Sequence, residues 1–172
     1  LLKDINTNYA GWELGGSPQN FVVFNDTLFF TADSSRGGSD RELWKSDGTE
    51  AGTVLFKDIH PSGESVANSF TVGGDHLFFV AVHPDYDREL WVSDGTSDGT
   101  HLLKDIKSGG GSWPRELAFC NGKLYFSAES DTGREPWISD GTSDGTMLLK
   151  NIRSGLSSST PTHFTAFGNQ VY

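Results

Sequence analysis

The chain holds one cysteine, one methionine and six prolines in 172 residues, and nowhere runs to 18 consecutive apolar residues. Each scarcity excludes something. The lone Cys120 cannot close an intrachain disulfide, so no cross-link framework substitutes for a core, and a single thiol leaves the redox compartment open. Without a long apolar run no membrane-spanning helix is expected. The opening Leu1-Leu2-Lys3-Asp4-Ile5 lacks the basic and apolar regions of a signal peptide and an initiator Met, which leads us to expect a mature or excised piece. Positive charge is also short. Lys and Arg number 13 against 23 Asp and Glu, a net charge of −10, and such a field repels phosphate backbones and anionic lipid. Neither nucleic acid nor a membrane interior is an expected partner. What is present is 35% hydrophobic residues, 12% aromatics and 21 glycines, a core-forming chain with many turns.

Internal self-similarity is the strongest feature. Glu42-Leu43-Trp44-Lys45-Ser46-Asp47-Gly48-Thr49 returns as Glu89-Leu90-Trp91-Val92-Ser93-Asp94-Gly95-Thr96 and as Glu135-Pro136-Trp137-Ile138-Ser139-Asp140-Gly141-Thr142. The Trp spacings are 47 and 46, and Lys-Asp-Ile at 3, 57 and 104, with Lys-Asn-Ile at 150, recurs at 54, 47 and 46. A third block is Leu28-Phe29-Phe30, Leu77-Phe78-Phe79 and Leu124-Tyr125-Phe126, with Val171-Tyr172 beginning a fourth copy. A period near 46 residues, broken at short intervals by Gly, Asn-Asp, Asp-Gly or Pro, has no room for helices and matches a four-stranded propeller blade.

For the second copy the pattern predicts strands A to D over 69–72, 77–82, 89–93 and 101–106. Asn25-Asp26, Gly74-Asp75, Asn121-Gly122 and Gly168-Asn169 predict tight A–B hairpins. Between C and D lies Ser-Asp-Gly-Thr-x-x-Gly-Thr, in which Asp can accept from backbone N–H groups ahead of it, Gly can take a positive φ and Thr hydroxyls can close the loop. One Asp per loop is too few oxygens for an EF-hand-like Ca²⁺ loop, so no metal site is assigned.

Glu-Leu-Trp-x-Ser-Asp-Gly-Thr-x-x-Gly-Thr followed by Leu-Leu-Lys-Asp-Ile resembles the ELWxxDGT repeat of large, mostly bacterial, often secreted proteins, over nearly the whole chain. Pro136 and Asn151 depart from it. The Ser-Asp-Gly-Thr hairpin also resembles the Asp-box turn of sialidase-like propellers. The resemblance implies an all-β fold of propeller blades with four antiparallel strands each, in an extracellular or cell-surface setting, and implies no reaction. It divides the chain into a partial blade 1–5, blades about 6–59, 60–106 and 107–152, and a partial blade 153–172, about three and a half blades in one repeat array. Closed propellers take four to eight, so self-association or membership of a longer chain is expected.

Function should sit where the copies differ. The D–A loops vary freely, and variable loops on a rigid scaffold are where binding concentrates. Trp12 and Trp113 each stand seven residues after the Ile of their block, where other copies hold Val66 and Ser159. Together with Tyr9 and Tyr86 they offer stacking surfaces for a sugar or a cation. They could equally lid their own blades. Trp44, Trp91 and Trp137 recur in register and are expected in the core. The B–C loops are acidic: Asp33, Asp40 and Glu42; Asp85, Asp87 and Glu89; Glu129, Asp131 and Glu135, with Arg41, Arg88 and Arg134 each directly before the last Glu. That register suggests an Arg–carboxylate ladder from blade to blade, or alternatively a rim site for a cation or amino sugar involving Asp85, Asp87 and Asp131.

Catalysis is not expected. No carboxylate pair stands out from the repeating background, the tyrosines meet no Arg cluster, the five His lack metal spacing, and no nucleophile elbow occurs. The expectation is a non-catalytic, lectin-like binding or interaction module without a cofactor, taking a glycan or else a protein ligand. The alternatives are a purely structural repeat of a surface or adhesion protein and, third, a glycoside hydrolase-type propeller.

Overall fold

A computed structural model describes residues 2–5, 15–34 and 40–172. Tyr9 and Trp12 lie outside the described residues. The described chain is all-β, without a helix. Three antiparallel four-stranded sheets follow one another, each in simple chain order. The first comprises β1 (Gln19–Phe24), β2 (Thr27–Asp33), β3 (Arg41–Ser46) and β4 (Val54–Lys57). The second comprises β5 (Asn68–Gly73), β6 (His76–His83), β7 (Asp87–Ser93) and β8 (His101–Lys104). The third comprises β9 (Arg115–Cys120), β10 (Lys123–Ser130), β11 (Gly133–Ser139) and β12 (Met147–Leu148), and a two-stranded ribbon of β13 (Ala166–Phe167) and β14 (Gln170–Val171) follows.

Local chemistry accounts for these elements. Asn25 and Asp26 both take positive φ, 48° and 57°, as do Asn121 and Gly122 at 48° and 75°, the backbone that lets a two-residue turn follow the twist of its strands. The four strands predicted for the second copy are present, with the fourth ending at Lys104. β12 is shorter still, and Pro136 explains it. The Pro136 carbonyl accepts from Leu149 N–H at 2.9 Å, so its edge faces β12, and there proline has no N–H to return.

The chain forms two compact units: Leu1–Asn68 with Ala81–Pro84, and Ser69–Val80 with Asp85–Tyr172. In the first, Phe30, Ala32 and Trp44 are buried together with Ile5 and Leu28 packed on them. In the second, Phe78, Val80, Leu90, Val92 and Leu103 share one buried cluster with Leu124, Phe126, Ala128 and Trp137, so facing strands of consecutive repeats form its core. Trp44, Trp91 and Trp137 are all buried, as expected for recurring apolar positions.

Candidate functional site

The Ser-Asp-Gly-Thr turns form one hydrogen-bond circuit, reproduced in three copies. In the second, Asp94 Oδ1 accepts from Thr96 N–H at 2.8 Å and from the Thr96 hydroxyl at 2.7 Å. Thr96 Oγ1 accepts from Gly99 N–H at 2.9 Å. The Thr100 hydroxyl donates to Thr96 O at 2.6 Å, which leaves Ser93 Oγ to donate to Thr100 Oγ1, also 2.6 Å, while accepting from Gly95 N–H at 3.0 Å. The hydroxyl protons of Ser93, Thr96 and Thr100 are all used, and Asp47, Asp94 and Asp140 each help to close their own turn. These bonds hold Asp47, Asp94 and Asp140 below the usual carboxylate range, Asp140 to about 2, with the Thr142 hydroxyl the main cause.

At the opposite ends of the strands, the glutamates before Leu or Pro depart from the expected ladder. Glu42, Glu89 and Glu135 are buried and accept from backbone N–H groups rather than pairing with arginine. Glu42 takes Ile59 N–H and Ser65 N–H, each at 2.8 Å. Glu89 takes Ser112 N–H at 2.8 Å and the Ser112 hydroxyl, and Glu135 takes Ile152 N–H at 3.0 Å, Ser159 N–H at 3.1 Å and the Ser159 hydroxyl at 2.6 Å. Strand alternation is the reason: Glu shares its side of the strand with the core Trp two residues on, and the adjacent Arg must point away. Each Glu thereby pins the variable D–A loop from beneath. Burial pushes Glu42 up and Glu89 up to about 7, whereas at Glu135 the accepted hydrogen bonds outweigh burial and the shift is downward.

These pins also correct the alignment of the loops. Gly16, Ser65 and Ser112 accept from Asp33, Val82 and Glu129 N–H at 2.7, 2.8 and 2.7 Å, so they are equivalent, and Ser159 joins them through its bond to Glu135. The position after each is Ser17, Val66, Trp113 and Thr160, all left-handed at φ 39°, 46°, 51° and 47°. Trp113 therefore corresponds to Ser17 and Thr160, not to Trp12 and Ser159, because the first and last loops differ in length. The strained φ belongs to the shared loop path; only the indole is particular to this copy.

Trp113 is 42% exposed. Its N–H donates to Arg88 O at 3.1 Å, the Arg88 guanidinium lies 4.9 Å from its ring centroid, and its carbonyl accepts from Arg134 Nη1 at 2.9 Å. Glu129 accepts from Lys107 at 2.5 Å and lies 3.8 Å from Arg134. Asp85 and Tyr86 are exposed on the β6–β7 turn and Asp87 at the first residue of β7, directly before Arg88, and Asp131 is exposed on the β10–β11 turn between Glu129 and Arg134. Sequence reasoning missed Arg88 and Arg134 as neighbours of Trp113, and the Lys107–Glu129 pair beside Arg134. Alternation along β7 and β11 could have found the arginines, since it sends them out beside the loop that the next Glu holds. Among the described residues no three His, Cys, Asp or Glu side chains gather as a metal cluster. Neither a protein-family model nor a curated protein matches this chain.

Proposed function

We propose that the chain is a segment of a β-propeller array, acting outside the cell or on its surface as a non-catalytic binding module with carbohydrate as its ligand class. The observation that carries this reading is Trp113. A large aromatic stands half-exposed on a loop path that three other copies fill with Ser, Val and Thr, and one ring face is braced by Arg88. A rigid, partly dehydrated indole suits stacking against the C–H face of a sugar ring, with the Arg88 guanidinium beside it for the hydroxyls. The three sheets follow one chain order, and consecutive repeats in the second unit pack face to face; both support blades as the building block.

The purely structural reading is favoured by the same brace, since Arg88 and Arg134 tie Trp113 into the loop. One mutant separates the two. If the indole is a platform, Trp113→Ala removes most of the affinity found on a glycan array, about 1–3 kcal/mol as for other aromatic stacking platforms, and barely moves the melting temperature. Unaltered glycan binding with a large stability loss makes Trp113 a brace. A wild-type chain that retains no glycan overturns the carbohydrate reading outright.

A further inference from the structure

The loop that carries Trp113 departs from its copies at a second position, two residues on. Arg115 stands where the other copies hold Gln19, Asn68 and Thr162, and the pairing of Gln19 with Thr31 and of Arg115 with Ser127 confirms that register. An aromatic and a cation thus enter one loop end together. Arg115 is exposed, and its charge reaches the buried Arg134. Burial first, and then Arg115, push the Arg134 guanidinium below its ordinary pKa, while Arg134 donates to the Trp113 carbonyl.

Charge around the indole does not balance. The chain as a whole stands at −10, yet Arg88, Lys107, Arg115 and Arg134 gather around this loop. Among the described residues the carboxylate that meets them is Glu129, which accepts from Lys107 and lies 3.8 Å from Arg134. Other carboxylates near in sequence are turned elsewhere. Glu89 is buried beneath the loop on Ser112, and Glu116 accepts from His163 N–H at 2.9 Å. Asp87 and Asp131 form no ion pair among the described residues, and neither Arg88 nor Arg115 has an anionic partner there. Arg88 Nε is buried without any hydrogen-bond partner.

Fields decay over about 8 Å at physiological ionic strength, so a ligand at Trp113 answers to these cations more than to the distant negative charge. A guanidinium also offers N–H groups in a fixed fork that fits a carboxylate or sulfate. We propose that the ligand of this loop is an acidic sugar, whose ring stacks on Trp113 and whose carboxylate or sulfate supplies the anion that Arg88 and Arg115 lack. The inference rests on the carbohydrate reading and narrows it, and it runs against the amino sugar that Asp85, Asp87 and Asp131 suggest in the sequence.

Affinities of the full chain for paired oligosaccharides test it. The probes are galacturonan, glucuronan and mannuronan oligomers, each beside its methyl ester, sulfated galactan beside its desulfated form, and chitosan beside chitin oligomers. At least one acidic member should bind about tenfold or more tighter than its neutral counterpart, as a charged hydrogen bond predicts. The gap should shrink between about 50 mM and about 500 mM salt. Which pair shows it separates carboxylate from sulfate. Arg115→Gln installs the residue that the first copy carries and should cut the gap about threefold, the scale of an exposed ion pair, without weakening the neutral member. Arg88→Lys keeps the charge but not the fork, and should cost the acidic member more than the neutral one. Acid and neutral members bound equally, chitosan preferred over the acids, or a gap untouched by both variants overturns the proposal and leaves the carbohydrate reading standing. A chain that binds no member of any pair removes both.

Discussion

At the scale of the residue, the buried glutamates decide how the loops respond to acidity. Glu89 has no solvent contact, and the Ser112 N–H and hydroxyl offset only part of the cost of burying its charge; burial, the larger effect, raises its folded-state pKa from 4.5 to about 7. The folded chain therefore holds a proton that the unfolded chain has released between these pH values. By linkage, this contribution to stability is full below about pH 4.5, declines as pH rises, and is gone above about 7. Glutamine keeps one acceptor for Ser112 N–H and can donate to Ser112 Oγ without carrying charge. Urea unfolding of Glu89→Gln should accordingly show a shallower fall in stability between pH 5 and 7 than the parent. Equal slopes in the two proteins would mean that Glu89 stays ionised in the fold. Asp140, held at about 2 by Thr142 on the surface, works in the other direction, and its contribution is lost only as pH falls towards that value.

At the scale of the element, the turn circuit and the short last strand make separate predictions. Thr100 is buried, donates to Thr96 O and accepts from Ser93 Oγ, so Thr100→Val keeps the shape but strands a buried hydroxyl and a carbonyl. Chemical denaturation should register a loss of about 1–3 kcal/mol, the cost of unsatisfied buried polar groups. Pro136→Leu restores an N–H on the edge facing β12. Hydrogen exchange should then slow at residues 149–151 as β12 lengthens towards the four residues of β4 and β8. Strands, hairpins and the Asp-Gly-Thr turn were legible in the sequence because their causes are local: alternation, an Asn or Gly able to take positive φ, an Asp two residues from its donor. The role of Glu42, Glu89 and Glu135 was not, because their partners are backbone N–H groups about 17 to 24 residues away, which carry no side-chain signature. The neighbouring Arg offered a simpler partner and suggested a ladder. Trp113 was legible as a break in the repeat, but its equivalence to Trp12 was not sound, since counting residues fails where loops differ in length and only the bonds at Gly16, Ser65 and Ser112 restore the register.

At the scale of the whole molecule, stability in a repeat chain is a sum over repeats and the contacts between neighbours. In the second unit this contact is explicit, because Phe126 of β10 is fully buried in one cluster with Phe78, Val80, Leu90 and Val92 of the preceding sheet. A defect there belongs to neither sheet alone. Phe126→Ala removes an aromatic from a site bounded by two sets of paired strands that cannot close over the cavity without breaking register, so the loss should approach the upper part of the range for buried Phe, about 3–5 kcal/mol. The distribution of the loss is the sharper test. Backbone amides of β7, from the second sheet, should gain exchange rate by the same factor as those of β10 and β11, from the third, if the shared cluster makes them one cooperative block. The β13–β14 ribbon, two paired residues long on each strand and with Phe167 outside, should exchange quickly in parent and variant alike. Faster exchange confined to β10 and β11, with β7 unchanged, would show that each sheet holds its own stability and that the cluster between them contributes little.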